Sequence, residues 1–486
     1  MTCTKKGAPF FSFPRILRSS VMAASIMFII FASQEYPGGL SQRAFAQTGA
    51  DVQEVPGTTS SDLGLLPAYL TDAAENNPQL QAAFNRWQAA LQSIPMHSAY
   101  PDPRLTLRGY LQPVETRTGP QRASIGLSQT VPWFGTLDLK EERSALEAAV
   151  ARASLDAVKL DIFHAVKQTY YEYAYVAQAV KMTREIIELV RYLESIARAR
   201  YSAGASPHAD VIRTQVELGK LEDRLASLRD VQRPIRSRLN AIMNRPVHQE
   251  LAPPPEIPVM RLCETGQELH RSIETSNPRL SALDAEAAAE QAGIKLAHKG
   301  YYPDLTFGLQ TVITGEARSP GVKNADEDPV IASLSMNLPL WQRPRDAAVL
   351  EARSKLRAVK QDREELLSRL HSELEMTLYK YNDAERKIDL YHKTLLPKAE
   401  QSLGVSLEAF QTGQGSSLDL MDAEKTLLEL KLAFLRSLAD QAQQLAAMET
   451  IVGRDIPCEI QPIDRPGHEL NLDLPLNPNP AQRASP

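Results

Sequence analysis

The chain has 486 residues, 23% charged and 6% aromatic, with a formal net charge of −5. That acidic balance argues against nucleic acid as a partner, and the mature part holds no stretch of the eighteen or so apolar residues that a spanning helix needs, so any membrane-spanning part must be β. The nine histidines lack ligand spacing, and no His-Glu-x-x-His or phosphate-binding glycine loop occurs, so neither an enzyme, a cofactor nor a metal site is expected.

Residues 1–46 read as a secretory signal. Lys5, Lys6, Arg15 and Arg18 precede an apolar run over 21–32, and Ala44-Phe45-Ala46 offers a small-x-small cleavage site. Cleavage would take the net charge to about −9 and send the chain out of the cytoplasm. No cysteine stands at that point, so no lipid anchor is expected there. Residues 47–70 form an N-terminal extension.

From residue 71 to residue 456 the chain says nearly the same thing twice. Asn77-Pro78-Gln79-Leu80 returns as Asn277-Pro278-Arg279-Leu280, and the stretch from Leu127 to Pro132 returns from Leu334 to Pro339. Arg200-Tyr201-Ser202-Ala203-Gly204, with Asp210 beyond it, returns as Ala409-Phe410-Gln411-Thr412-Gly413, with Asp419 beyond it. A first repeat over 71–250 and a second over 276–456 therefore flank a linker, or equatorial region, over 251–275. Residues 457–486 form a proline-rich tail expected to be disordered. Cys263 and Cys458 close the two halves at roughly matching places, and in an oxidising compartment either a disulfide or two free buried thiols is expected.

Each repeat begins with a helix, about 72–99 and 276–300, and continues into two strands, about 104–114 with 122–131 and 304–316 with 329–339. In the first strand Leu105, Leu107, Gly109 and Leu111 share one face, and Thr106, Arg108, Tyr110 and Gln112 the other. Such alternation over about nine to eleven residues suits a tilted strand between lipid and water. Tyr100, Trp133, Phe134, Tyr301, Tyr302 and Trp341 all fall where strand meets helix, as an interfacial aromatic girdle requires. Four strands cannot close a barrel and an open edge is not tolerated in hydrocarbon, so several copies would have to share one.

Two long helical runs come next, about 135–201 and 345–410, each near 100 Å at 1.5 Å per residue. Leu367, Leu374, Tyr381, Ile388 and Leu395 recur every seven residues, a coiled-coil seam, and Pro397 is expected to bend the second run. Gly204 with Ser206-Pro207, and Gly413 with Ser416-Ser417, read as stop-and-restart turns before return helices over 207–244 and 416–453.

These passages together resemble the TolC-like outer membrane efflux protein family, from about residue 64 to 453. The carrying features are Val131-Pro132-Trp133-Phe134 and Leu338-Pro339-Leu340-Trp341, with the tips from Tyr201 to Ile212 and from Phe410 to Ala423. The resemblance implies an α+β membrane protein in the outer membrane of a Gram-negative bacterium. Four strands per protomer would contribute to a shared 12-stranded barrel in a homotrimer, continued by a coiled-coil tunnel through the periplasm. It implies a passive exit duct of a tripartite pump for small toxic solutes, drugs or metal ions. The implied partners are outer-membrane lipids, a periplasmic adaptor protein and an inner-membrane transporter, of the RND type in the first place. A polypeptide-secretion duct fits the same architecture, and a soluble periplasmic coiled-coil scaffold is the reading of another class.

By the same resemblance Asp419 and Asp422 line the periplasmic mouth, while the first repeat has Asp210 but Arg213. A carboxylate in a first helical turn is also favoured by the helix dipole, which explains Asp210 or Asp419 alone; Asp422 on the same face is less easily explained so. Tyr201, Gly204, Asp210, Phe410, Gly413 and Ser416 make up the tips at which an adaptor would dock, with Tyr201 and Phe410 expected mainly to pack beneath the turns.

Overall fold

The computed structural model describes residues 65–461 except 205, 320, 326 and 413. The signal, most of the extension, Gly413 and the tail beyond 461 lie outside the described residues. Each leading helix is two helices broken at an Asn-Pro step: α1 (Leu66–Asn76) and α2 (Pro78–Ser98), then α5 (Gly266–Ser276) and α6 (Pro278–Lys299). Proline suits the first helical position because its missing N–H would have no partner there. The Asn77 side chain accepts from the N–H of Gln79 and Leu80, and that of Asn277 from Arg279 and Leu280. Each asparagine also donates its amide 2.8 Å to a carbonyl at the end of a return helix, Asn77 to Ile242 and Asn277 to Ile451. The repeated Asn-Pro thus carries a bond between elements as well as a cap.

Strands β1 (Arg104–Thr116), β2 (Gly119–Val131), β4 (Leu305–Thr314) and β5 (Val330–Met336) form one antiparallel sheet in the order β1-β2-β4-β5. The β1–β2 hairpin is tighter than the alternation alone predicts, with Thr116 facing Gly119. Leu105, Leu127, Leu309 and Ala332 form one cross-strand row, and Leu107, Ile125, Thr311 and Val330 the next. One face is therefore apolar across the sheet. The other carries Thr106, Gly126, Gln310 and Ile331 in one row and Arg104, Ser128, Gly308 and Ser333 in another, and is the more polar of the two.

The long helix α3 (Thr136–Ser202) runs 67 residues without a break, about 100 Å at 1.5 Å per residue. Its counterpart is interrupted. After α7 (Gln342–Leu390) a π-helical turn over Tyr391–Leu395 leads into α8 (Leu396–Thr412), and the Leu396 N–H bonds to the Tyr391 carbonyl. Pro397 has no N–H to give and its ring crowds the carbonyl four residues back, so the chain widens by one residue just before it. The return helices are α4 (His208–Ile242) and α9 (Ser417–Val452). α2 and α4 pack along α3, and α9 packs along both α7 and α3.

The buried core runs through these helices. Leu374, Tyr381 and Ile388 of the seven-residue seam are buried within it. Two short strands close the middle: β3 (Val259–Leu262) in the linker pairs with β6 (Cys458–Gln461). The expectation of a disordered tail from residue 457 therefore fails for its first residues, because the β3 edge gives them backbone partners. Neither cysteine alternative holds as expected: both thiols are free, but Cys263 is exposed and Cys458 only part-buried. Leu262 faces Cys458 across the ladder, so Cys263, one residue on, belongs to the opposite face in a period-2 strand.

Candidate functional site

Three places carry features that the core does not need. The first is the outer face of the sheet. Leu105, Leu107, Ile125, Leu127, Phe307, Val330, Leu334 and Met336 are all exposed on the apolar face, Leu107 at 68%. The opposite face holds the sheet's buried Ser124 and Val312. Among the described residues β1 and β5 have no second neighbour, so both outer edges are open.

At the end where strands meet helices, Trp133 stacks on Tyr302 at 5.1 Å and meets Phe134 edge-on at 5.7 Å. Lys299 ties this group together, donating 2.9 Å to the Phe134 carbonyl and lying 6.0 Å from the Tyr302 ring centre. Tyr301 donates to Asp346 at the start of α7. Tyr100 and Trp341 stand exposed at the remaining two junctions, so all six aromatic residues lie at one end of the sheet and three of them touch.

The second place is the pair of tips. After α3, Gly204 adopts φ +71° and its N–H donates 3.0 Å to the Tyr201 carbonyl. Pro207, not Ser206, is the N-cap of α4, and the Ser206 hydroxyl is buried without a partner. Tyr201 is exposed and does not pack beneath the turn as expected; its ring lies tilted against His208 at 4.7 Å. Asp210 sits in the first turn of α4 and pairs with Arg213 at 3.7 Å. In the second tip Ser416 caps α9, its hydroxyl accepting from the Leu418 N–H at 3.0 Å. Phe410 is 3% exposed beneath its turn. The Arg200 guanidinium lies 5.0 Å from the Phe410 ring centre and donates to the Phe410 carbonyl. The tips of the two repeats are thereby joined within one chain, and neither Arg200 nor its partner bond stands out in the sequence.

Gly415 is a second residue that sequence reasoning missed. Its N–H donates 2.8 Å to the Ala409 carbonyl, and a β-carbon there would lie 2.9 Å from the backbone of Ala409 and Phe410. The signal was available in Gly413-Gln414-Gly415, where two glycines compete for one turn.

Asp419 and Asp422 are exposed on the same face of α9, three residues apart and so neighbours on the helix. Two residues further on, Glu424 is 0% exposed, and neither of its carboxylate oxygens has a hydrogen-bond partner. Burial, with Glu217 of α4 adding like charge, pushes its carboxyl up to about 7. Glu217 is itself paired with Lys220 at 3.1 Å.

The third place is the clasp at mid-height. Buried Tyr381 of α7 donates to the Met260 carbonyl and accepts from the Leu262 N–H at 3.0 Å, fixing β3 against the helices. Burial pushes its hydroxyl up to about 12. Arg261 reaches Glu385 at 3.3 Å and Asp389 at 3.2 Å on the same helix. Among the described residues no group of three or more His, Cys, Asp or Glu side chains converges as a metal cage would.

The family model for outer membrane efflux proteins matches residues 69–245 and 269–454, the two repeats with the linker left out. The cobalt-zinc-cadmium resistance protein CzcC of Cupriavidus metallidurans is 24% identical over 415 residues, covering 85% of this chain and 96% of the relative. Nodulation protein T of Rhizobium leguminosarum bv. trifolii is 21% identical, covering 93% and 98%. Among solved structures, the outer membrane protein VceC from Vibrio cholerae superposes with a TM-score of 0.65 at 16% identity, over 81% of this chain and 97% of that one.

Proposed function

The chain belongs to the outer membrane efflux protein family, and from that membership we propose that three copies join their four-stranded sheets into one twelve-stranded barrel. It is an outer-membrane channel and serves as the exit duct of a tripartite efflux pump. The observation that supports a shared barrel is the sheet itself, with one face apolar and exposed and two edges without neighbours among the described residues; the number three rests on the family. The face suits hydrocarbon, but the edges cannot stand there until they are paired. β5 of one copy would meet β1 of the next.

An energised transporter of the inner membrane, of the RND type, and a periplasmic adaptor complete the pump. The adaptor would dock between the tips built on Gly204 and Gly415. Asp419 and Asp422 of three copies would line the periplasmic mouth, and the six aromatic residues would form the girdle where barrel meets tunnel. Cargo is small toxic solutes, with metal ions favoured by the likeness to CzcC, a cobalt-zinc-cadmium resistance protein that matches 85% of this chain.

The test is assembly. The mature chain extracted in detergent should have three times the protomer mass, and Leu107→Arg should impair insertion, since a charge on the lipid face costs roughly 2–4 kcal/mol near the midplane. Thr106→Arg, on the other face, should assemble normally. A stable membrane-inserted monomer, or equal damage from both substitutions, would overturn the reading.

A further inference from the structure

We infer that His270 and His371 form a binding site for one divalent transition-metal ion of the zinc class, where α5 meets α7. The site lies outside the duct reading and does not depend on which solute the duct passes.

His371 and Glu375 stand four residues apart on α7 and so share a helical face; His270 comes from α5. The two Nδ1 atoms are 2.7 Å apart. The ring centres are 5.0 Å apart, the spacing of imidazoles that meet nitrogen to nitrogen and not face to face. On its far side, His270 Nε2 lies 2.8 Å from a Glu375 carboxylate oxygen.

That carboxylate places one hydrogen. A carboxylate accepts only, so a hydrogen sits on His270 Nε2, and in the neutral ring Nδ1 is bare toward its neighbour. His371 can meet that lone pair only with an Nδ1–H, and one proton is then all that separates two nitrogen ligands. A metal ion can take the proton's place. His371 moves its hydrogen from Nδ1 to Nε2, the other neutral tautomer, so both Nδ1 lone pairs become ligands and no proton need leave the protein. A carboxylate behind a ligating imidazole is the arrangement that fixes tautomer and ring orientation at metal sites.

The fit requires a small movement. Two nitrogens at the 2.0–2.1 Å bond length of a tetrahedral zinc ion stand about 3.3 Å apart, so the pair must open by about 0.6 Å from its 2.7 Å contact. Both rings are only partly buried and Glu375 is exposed, which leaves room for that swing. Imidazole ligands select zinc, copper or nickel over magnesium and calcium. With no third protein ligand converging among the described residues, water would complete the shell, and the ion would exchange readily while tying α5 to α7. Sequence spacing could not show this, because the two histidines are 101 residues apart.

The experiment uses the untagged mature chain in detergent, titrated with Zn²⁺ against a chromophoric chelator and separately with Co²⁺ followed by visible absorption. One Zn²⁺ should bind per protomer, and Co²⁺ should give the intense bands of a low-symmetry nitrogen site. His371→Ala should abolish both. Glu375→Gln should keep the stoichiometry and weaken affinity about 10–100-fold, the usual loss of an outer-shell carboxylate. Absence of binding in the natural chain would mean that the pair is only a hydrogen-bonded tie. Equal binding in His371→Ala would place the ion elsewhere, on Asp419 and Asp422 or on a free cysteine, and overturn the inference. Should His371→Ala assemble poorly, exposed Glu375→Gln decides alone, and an unchanged affinity there overturns the inference.

Discussion

Glu424 is the residue whose chemistry most clearly opposes its surroundings. A buried carboxyl without partners keeps its proton, and its folded-state value of about 7 stands above the ordinary 4.5. The folded state therefore binds more protons than the unfolded chain between those values. Its contribution to stability is fully present below about 4.5, falls as pH rises toward 7 and stays lost above, by on the order of 3 kcal/mol. Glu424→Gln should remove that fall, so thermal midpoints of the variant and the natural protein should converge near pH 4.5 and separate in favour of the variant by pH 8. Parallel curves would show that Glu424 is hydrated or paired. Asn277 works in the opposite sense, since its one amide satisfies a cap and the Ile451 carbonyl. Asn277→Ala should lose about 1 kcal/mol for the cap and a further 1–3 kcal/mol for the stranded carbonyl. A loss in melting experiments no larger than that of an exposed cap would refute the second role.

Among the elements, the turns divide by what limits them. Gly204 has open space around it and only its positive φ to defend, so Gly204→Ala should cost about 1 kcal/mol and leave the tip in place. Gly415 is limited by space: a β-carbon would press on the backbone of Ala409 and Phe410. Gly415→Val should therefore push the α8–α9 turn away from its position while the barrel and trimer persist. Crosslinking between the tip and the adaptor should drop in that variant and survive in Gly204→Ala. If the two behave alike, conformation and not close approach governs docking. The helices themselves were legible in the chain. Alternation at Leu105 and Leu107, the seven-residue recurrence through Tyr381, and the glycine–serine stops announce strands, seam and turns because each is a local pattern with a fixed period. The π turn before Pro397 was legible only as a disturbance, since sequence says that proline breaks the ladder but not how the chain absorbs it.

Across the molecule, what the sequence withheld is long-range. Arg200 over Phe410, Tyr381 under Met260 and His270 against His371 join residues 210, 121 and 101 positions apart, and no periodicity marks them. The paired aspartates are the reverse case: their spacing is visible, and their role depends on copies of the chain coming together. Three copies of Asp419 and Asp422 around one mouth would set six carboxylates in a ring, and such a ring attracts cations and resists anions. Both residues are exposed on α9, where a carboxylate can meet a passing solute. Asp419→Asn with Asp422→Asn should therefore weaken cation preference and divalent-cation block of the purified channel in planar bilayers. Glu424→Gln, buried beside them, should leave selectivity unaltered at pH 7.5, because its carboxyl does not face the same surface. Selectivity and block that persist in the double variant would reduce the aspartates to helix-start residues, held there by the dipole of α9 alone.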